Sequence, residues 1–559
     1  MEKARWHLYD RSNRSIFEHL CLVRRIPAEL VTPSFTEHLH DPGLLPDIKE
    51  ARALVVAAVK HNDRAVIFGD YDADGTPASA ILSLAFDRIG LQHSVVLPTR
   101  ETGYGLRLED IPSFAKQAKL LVTVDTGITA VTEVALAKKL GMKVIILDHH
   151  LPKKELPMAD AVVDPFIERS RYPFNELCGA ALAYKLVLAL RADFPTQLTE
   201  GFCKWLIEIV AIATVADMMP LTGENRVLVH FGLQTLAKTR RPGLIALMNV
   251  AGINPEALSA STLGFAIGPR FNASGRLADN RPVFELLKTT SMDEAKALAE
   301  GLERANRQRQ DLVADVLAEA TEQLWRQNNP SDRLIILRGE NWPSGVLGLV
   351  AGKIVGQTGR PTIVLTKTKD GYSGSARSIE NFSMISALEQ TGKHLLRFGG
   401  HRLAAGLAVP AKRFDKFVDT IKSHANELLS EEDLRSVVEI DAELAHKEVR
   451  PETVREIGRL APFGHKNPQP LFLLKDIDLS RPAVMGAAKN HLKWRVELAM
   501  HSFDLVGFGL AERFFAEPAM RSDIVGGLEL NHWNGASRLQ IKLKDYRPTG
   551  QAIDKHLTI

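Results

Sequence analysis

The residues best placed to do chemistry are carboxylates set at every second position. The apolar run Val66-Ile67-Phe68-Gly69 leads straight into Asp70, Asp72 and Asp74. Alternate side chains of an extended chain share a face, so this spacing predicts three carboxylates crowded together. No basic residue stands between Ala65 and Arg88 to neutralise them. Such a cluster suits a divalent cation bound through hard oxygen ligands, although a lone D-x-D-x-D reads equally well as an acidic turn of solvated aspartates. Later acidic positions tip the balance. Asp125 follows Val122-Thr123-Val124, Asp148 follows Ile145-Ile146-Leu147 and precedes His149 and His150, and Asp217 ends an apolar helix expected over 205–216.

These residues need a scaffold that brings distant points of the chain together. Strands are expected at 65–69, 93–97, 120–125, 143–148 and 161–164, with helices at 48–60, 78–89 and 130–140. Strands alternating with helices of this length imply a parallel sheet with right-handed crossovers. The carboxyl ends of such strands lie along one edge, where open α/β folds place their sites. A single acidic strand end is a common helix cap; three on one sheet, one extended by two histidines, exceed what capping requires.

Composition narrows the class. The chain has 559 residues, 45% hydrophobic and 25% charged, the balance of an ordinary globular protein with three or four domains. No apolar N-terminal segment or long uninterrupted apolar run stands out, so neither secretion nor membrane spanning is expected. Cys21, Cys178 and Cys203 have no metal-ligand spacing, and a sparse odd set points to a reducing cytoplasm. A net charge of +3 names no partner but permits local basic grooves.

In order, D-x-D-x-D, V-D-x-G at 124–127, D-H-H at 148–150 and V-A-D at 215–217 resemble the four motifs of the DHH phosphoesterase family. The wording Gly69-Asp70-Tyr71-Asp72-Ala73-Asp74-Gly75 and the later sections look most like the family's single-strand-specific exonucleases, over roughly residues 48–547. The resemblance implies two divalent ions, manganese or magnesium, held by Asp72, Asp74, Asp125, His149 and Asp217, with Asp125 bridging. It places Asp70 and Asp148 in or just outside that shell and His150 against the scissile phosphate. An imidazole among carboxylates favours manganese, because nitrogen is softer than magnesium prefers. Phe68 departs from relatives that carry a histidine ligand there, which leaves the second ion more dependent on Asp70.

The fold implied is α/β: a lead-in over 1–47, a parallel-sheet catalytic domain over 48–290, a connecting helix over 291–330, a smaller α/β DHH-associated domain over 331–430 and a C-terminal β-barrel of the oligonucleotide-binding (OB) kind over 436–547. The helix is expected to stop at Asn328-Asn329-Pro330. Arg270, Asn272 and Arg276 stand in a Gly/Pro-rich stretch that reads as a phosphate-binding turn or a plain surface turn. In the associated domain, Gly374-Ser375-Ala376-Arg377-Ser378 and Gly399-Gly400-His401 permit close backbone approach. By resemblance, Ser375, Arg377 and His401 contact phosphate, with Lys353 a further candidate. In the barrel, Trp494, Phe508 and Trp533 are candidates for base stacking or core, and Lys466 replaces a glycine of the family's opening P-F-G-x-G-N-P turn.

The function implied is a metal-dependent exonuclease that degrades single-stranded DNA from its 5′ end to mononucleotides in repair and recombination. Single-stranded DNA is its partner, a single-strand-binding protein and a repair helicase are implied beside it, and the chain is expected to act as a monomer. Two alternatives stay open: a phosphodiesterase for short oligonucleotides, against which the barrel argues, and a non-catalytic DNA-binding relative, against which the intact acidic set argues.

Overall fold

Strictly apolar five-residue strands can be buried on both faces, and in the computed structural model they are. Strands β1 (Ala65–Gly69), β2 (His93–Val96), β3 (Leu120–Val124), β4 (Lys143–Leu147) and β5 (Ala161–Val163) form an all-parallel sheet in the order β2-β1-β3-β4-β5. Ile67, Val122, Ile145 and Leu147 enter one core, while Val66, Phe68, Leu121, Val144 and Ile146 enter the core on the opposite face. Described are residues 4–99, 103, 105–277, 279–327, 332–498, 502–518, 520–533 and 536–558, without the side chains of 277, 532, 533 and 536.

The helices that matter for the site are α1 (Ile48–Lys60), α2 (Gly75–Ile89), α3 (Gly179–Leu190), α4 (Glu200–Ala216) and α5 (Gly268–Leu277). Helix α5 corrects an expectation. The stretch 267–277 is not a turn; it continues without a break from a π-helical segment, Leu263–Ile267, and its proline follows directly on that widened turn. Helix α6 (Met292–Gln327) is 36 residues long, and the expected stop at Asn328-Asn329-Pro330 lies outside the described residues.

The chain divides into two compact units. One comprises Arg24–Arg307 with Arg459–Gln469; the other comprises Met1–Val23, Gln308–Gly458 and Pro470–Ile559. The N-terminal lead-in is therefore split. Its strand Arg5–Tyr9 pairs in parallel with Val437–Ile440 and Lys555–Leu557, so the first residues belong with the last. The turn expected to open the barrel belongs instead to the unit of the all-parallel sheet. Buried Arg226 donates to the carbonyls of Leu30 (2.7 Å), Leu460 (2.6 Å) and Arg459 (3.1 Å), and the Leu221 amide donates to the His465 carbonyl (2.9 Å). Lys466 keeps the left-handed backbone a glycine would favour there, at φ +59°.

In the second unit, β6 (Ile335–Gly339), β7 (Thr362–Thr368), β8 (Gly371–Arg377), β9 (Arg397–Gly400) and β10 (Ala404–Pro410) form a sheet in the order β9-β10-β8-β7-β6, with α7 (Ser344–Thr358) among its helices. Seven further strands, between Ala442 and Pro548, form the C-terminal sheet. Trp494 is buried there with its indole N–H on the Leu479 carbonyl (2.9 Å), which makes it core rather than a stacking platform. Phe508 is exposed, and the Trp533 side chain lies outside those described.

Candidate metal centre

Asp70, Asp72 and Asp74 do converge, though not by alternation along a strand. Strand β1 ends at Gly69, and the carboxylates occupy the turn into α2. Each is held by amides. The Tyr71 N–H donates to Asp70 Oδ1 (2.8 Å), and those of Asp74 (2.8 Å) and Gly75 (3.0 Å) donate to Asp72 Oδ1. Asp74, 1% exposed, accepts the first two amides of α3, Gly179 N–H at 2.6 Å and Ala180 N–H at 2.8 Å. A helix N-terminus favours negative charge, so α3 fixes this carboxylate where a side-chain cation would compete with a metal.

Asp125 follows β3 with a left-handed backbone, φ +61°, which aspartate tolerates better than most residues. Gly179 makes room for it, since a Cβ at 179 would stand 2.6 Å from Asp125 Cβ. His149 points Nε2 into the same space, 2.9 Å from Asp125 Oδ1, 3.6 Å from Asp74 Oδ2 and 3.8 Å from Asp217 Oδ2. Asp217 arrives from the C-terminal end of α4. Ligand atoms of three overlapping groups lie within 4.8 Å of one another: Asp125 with His149 and His150, Asp74 with His149 and Asp217, and Asp70 with Asp72 and Asp125.

Asp148 has a different part. Fully buried, it accepts the amides of Ile128 (2.9 Å), His149 (2.8 Å) and His150 (3.2 Å) and bonds His150 Nδ1 (2.7 Å). These contacts occupy both its oxygens, so it orients the two histidines from behind.

The electrostatics follow from this crowding. Burial, then the neighbouring carboxylates, push Asp70, Asp125 and Asp217 well above the usual carboxyl range, and the same causes push Asp74 up to about 7. Burial lowers His149 to about 4, which keeps its imidazole neutral and able to ligate. Burial works against charge on His150 too, but the bond and charge of Asp148 outweigh it and raise His150 to about 9. Asp148, which burial alone would raise, is held below its usual value chiefly by His150. Four carboxyls that resist joint ionisation beside a neutral imidazole form a donor set that a divalent cation completes.

Two contributors escape a reading of local pattern. The amides of α3 meet Asp74 from 105 and 106 positions away. Asp164, at the end of β5, is a fourth acidic strand end, fully buried, with Oδ1 on the Phe166 amide (2.7 Å) and Oδ2 without a partner among the described residues; burial pushes it up to about 7. Its position after Ala161-Val162-Val163 was the available signal.

The other expected site residues fall in two places. On α5, Asn272 accepts the Ala73 amide (3.2 Å) and so braces the acidic turn, and Arg276 stands one turn further along the same face. Arg270 is committed elsewhere, bonding Glu303 (2.7 Å) and the Ala266 carbonyl (2.7 Å). In the second unit, the glycine-rich stretches lie largely in strands rather than turns. Gly399 of β9 faces Gly406 of β10, which faces Ser375 of β8. Arg377 ends β8 half-buried against Gly348 of α7. It bonds the Ala376 carbonyl (2.9 Å) and has no carboxylate partner among the described residues. His401 and Lys353 are exposed.

Comparison with known proteins agrees with this division. Profiles of the DHH family N-terminal domain, the DHHA1 domain and the RecJ OB domain match residues 64–214, 331–427 and 440–545. The chain is 34% identical over 555 residues to the single-stranded-DNA-specific exonuclease RecJ of Haemophilus influenzae, covering 96% of each chain. It is 34% identical over 511 residues to the RecJ of Bacillus subtilis, covering 90% of this chain and 64% of that longer relative. The crystal structure of Thermus thermophilus RecJ in complex with Mn2+ superposes with a TM-score of 0.83 at 27% identity, over 99% of this chain and 81% of that one. A second structure of that protein, in complex with Mg2+, gives 0.77 at 26% identity, over 98% and 79%.

Proposed function

The chain belongs to the RecJ family of single-stranded-DNA-specific exonucleases, and from that premise we propose that it hydrolyses single-stranded DNA from the 5′ end to mononucleotides, in repair and recombination, with manganese or magnesium as cofactor. The observation that carries this reading is the convergence of Asp70, Asp72, Asp74, Asp125, His149 and Asp217, a crowded and largely buried donor set that a divalent cation completes. A non-catalytic relative would have no use for so costly an arrangement.

Asp72, Asp74, Asp125, His149 and Asp217 would hold two ions, with Asp125 shared between them and Asp70 supporting the second. When bound, such a pair supplies an activated water and neutralises charge on the attacked phosphate and leaving oxygen. The chain's own residues do the rest. His150, protonated and locked by Asp148, presents a hydrogen-bond donor to a phosphate oxygen. His149 stays neutral, so its ring nitrogen competes with no proton of its own. In the second unit, Arg377 offers a half-buried guanidinium without a carboxylate partner among the described residues, and Gly406, which faces Ser375, and Gly399 leave backbone open to a phosphate.

Single-stranded DNA is the substrate, and a single-strand-binding protein and a repair helicase are the protein partners this reading implies, with the chain acting as a monomer. Among the described residues no helix is long and apolar enough to cross a membrane. Three free thiols suit the cytoplasm in which this work is done.

Digestion of 5′- and 3′-end-labelled single- and double-stranded DNA tests the proposal. Manganese should release labelled mononucleotide from the 5′ end of single strands and leave blunt duplex intact, and chelation should stop the reaction. Internal fragments as first products, or equal cutting of duplex, would overturn it.

A further inference from the structure

A cleft of about 630 Å³ opens in the catalytic unit beside the last turn of α2 and the first half of α4. That volume falls in the range of small-molecule sites. Helix α2 starts at the acidic turn and meets the cleft at Leu84, a rise of about 13 Å, and at Arg88, about 20 Å along. On α4, Glu208 lines the cleft nine residues, or about 13 Å, before Asp217. The cleft therefore stands at the far end of both helices from the metal centre.

Its walls combine aromatic faces with cations. The Arg88 guanidinium lies 4.9 Å from the Phe202 ring centre, and that of Arg240 lies 5.0 Å from Trp205. Both arginines are exposed, and neither has a carboxylate partner among the described residues. Behind them, Arg241 is bonded by buried Glu208 (2.8 Å) and the Leu287 carbonyl (3.2 Å), and Lys288 by Asp87 (2.8 Å) and the Ser83 hydroxyl (2.7 Å). Four cations against Asp87 and Glu208 leave a surplus of two positive charges. The N-terminus of α4, capped by Thr199, adds a partial positive charge at the same place.

We propose that this cleft is a binding site for a nucleoside 5′-monophosphate, distinct from the metal centre. A phosphate monoester carries nearly two negative charges at neutral pH and matches the surplus, whereas each diester of a strand carries one. A planar base can stack on a guanidinium already seated over an aromatic ring, and Arg presents its flat face for this while its N–H edge binds phosphate. Neither half alone explains the pairing of cation with ring on both walls. The assignment does not need the hydrolytic reading, but under it the ligand is of the enzyme's own product class.

Isothermal titration of the full-length protein in EDTA, where no hydrolysis occurs, tests the site with dGMP, dCMP, deoxyguanosine, inorganic phosphate and a (dT)10 strand lacking a terminal phosphate. Both nucleotides should bind at one site, and deoxyguanosine and phosphate should each bind at least tenfold more weakly. Replacing both exposed arginines, Arg88→Ala with Arg240→Ala, should weaken nucleotide binding at least tenfold, while Arg377→Ala should leave it unchanged. Unchanged binding in the double variant, loss in Arg377→Ala, phosphate binding as tight as nucleotide, or displacement of dGMP by (dT)10 would each overturn the proposal.

Discussion

Two α/β sheets in this chain use their strand ends in opposite ways. The catalytic sheet gathers carboxylates, Asp70, Asp74 and Asp125 among them buried, and fixes them with backbone amides, a left-handed aspartate and the N-terminus of α3. The second sheet leaves β9 exposed over its whole length, lines its strands with glycine and carries a cation without a carboxylate partner among the described residues. Like charges held together must be held rigidly, because each is raised in energy by burial and by its neighbours. A surface that grips a repeating anionic backbone needs access more than rigidity, and glycine provides it.

The sharpest way to break this comparison is to remove one crowded charge. Asp125→Asn keeps a residue that tolerates the left-handed backbone but takes away the shared ligand. Hydrolysis should fall by more than the roughly 100-fold lost with an outer-shell partner of a metal ligand. The metal-free variant should melt no lower than wild type, since a buried carboxyl crowded by its neighbours gives way to a neutral amide of the same shape. Near wild-type metal-dependent cleavage would falsify the shared-ligand assignment, and a lower melting temperature would show that crowding is not what perturbs the site.

On the second sheet the same operation should act on binding alone. Arg377→Ala removes a charge-assisted hydrogen bond, on the order of 1.5 to 3 kcal/mol in affinity for single strands, with metal binding intact. Competition binding and a manganese titration on one preparation separate the two effects. If manganese binding is lost as well, the division of labour between the sheets fails.

The third test uses protons. Carboxyls that titrate near 4 when unfolded are raised here, Asp74 to about 7, so the metal-free native state is favoured by protonation below pH 4 and loses that advantage as pH rises through 7. A cation must displace whatever protons remain. Apparent metal affinity should therefore climb with pH, about tenfold per unit for each proton displaced, through the range up to about 7 in which Asp74 still holds its proton. Calorimetry in buffers of different ionisation enthalpy counts the protons directly; none released at pH 6 would mean the cluster is already ionised.

Much of the catalytic sheet was legible in the sequence because its information is local. A short apolar run ending in aspartate, set between helices, marks a strand end here, and Asp70, Asp125 and Asp148 announce themselves this way. What stayed hidden depends on distant partners. Nothing near Cys178-Gly179-Ala180 says that two of its amides will meet Asp74, and nothing near Arg5 foretells its pairing with Val437. The stretch 267–277 misled for another reason: glycine and proline mark turns on average, yet here they sit in a helix that continues from a π-helical segment. Glycines of the second sheet misled likewise, being strand residues: a Cβ at Gly374 would stand 2.0 Å from the Val364 carbonyl oxygen, while one at Gly399 would meet nothing within 4 Å.

The smallest expected effect sharpens the comparison most, because it sets one methyl group against another. At Gly179 a Cβ would collide with Asp125, so Gly179→Ala must displace a metal ligand or the start of α3. At Gly399 nothing lies within 4 Å of the added carbon, and its backbone is not of the kind that demands glycine. Gly399→Ala should therefore fold as well as wild type, or better by about 0.5 to 1 kcal/mol, as alanine does in ordinary strand conformations. If a phosphate backbone passes over this strand, the same methyl intrudes on its path and single-strand affinity should fall a few-fold, with hydrolysis at saturating substrate unchanged. Melting temperature and strand affinity measured on the one variant decide it. Stability up and affinity down is the signature of a glycine kept for access; affinity unchanged would mean that no ligand approaches Gly399, and that the open strand serves some purpose other than grip.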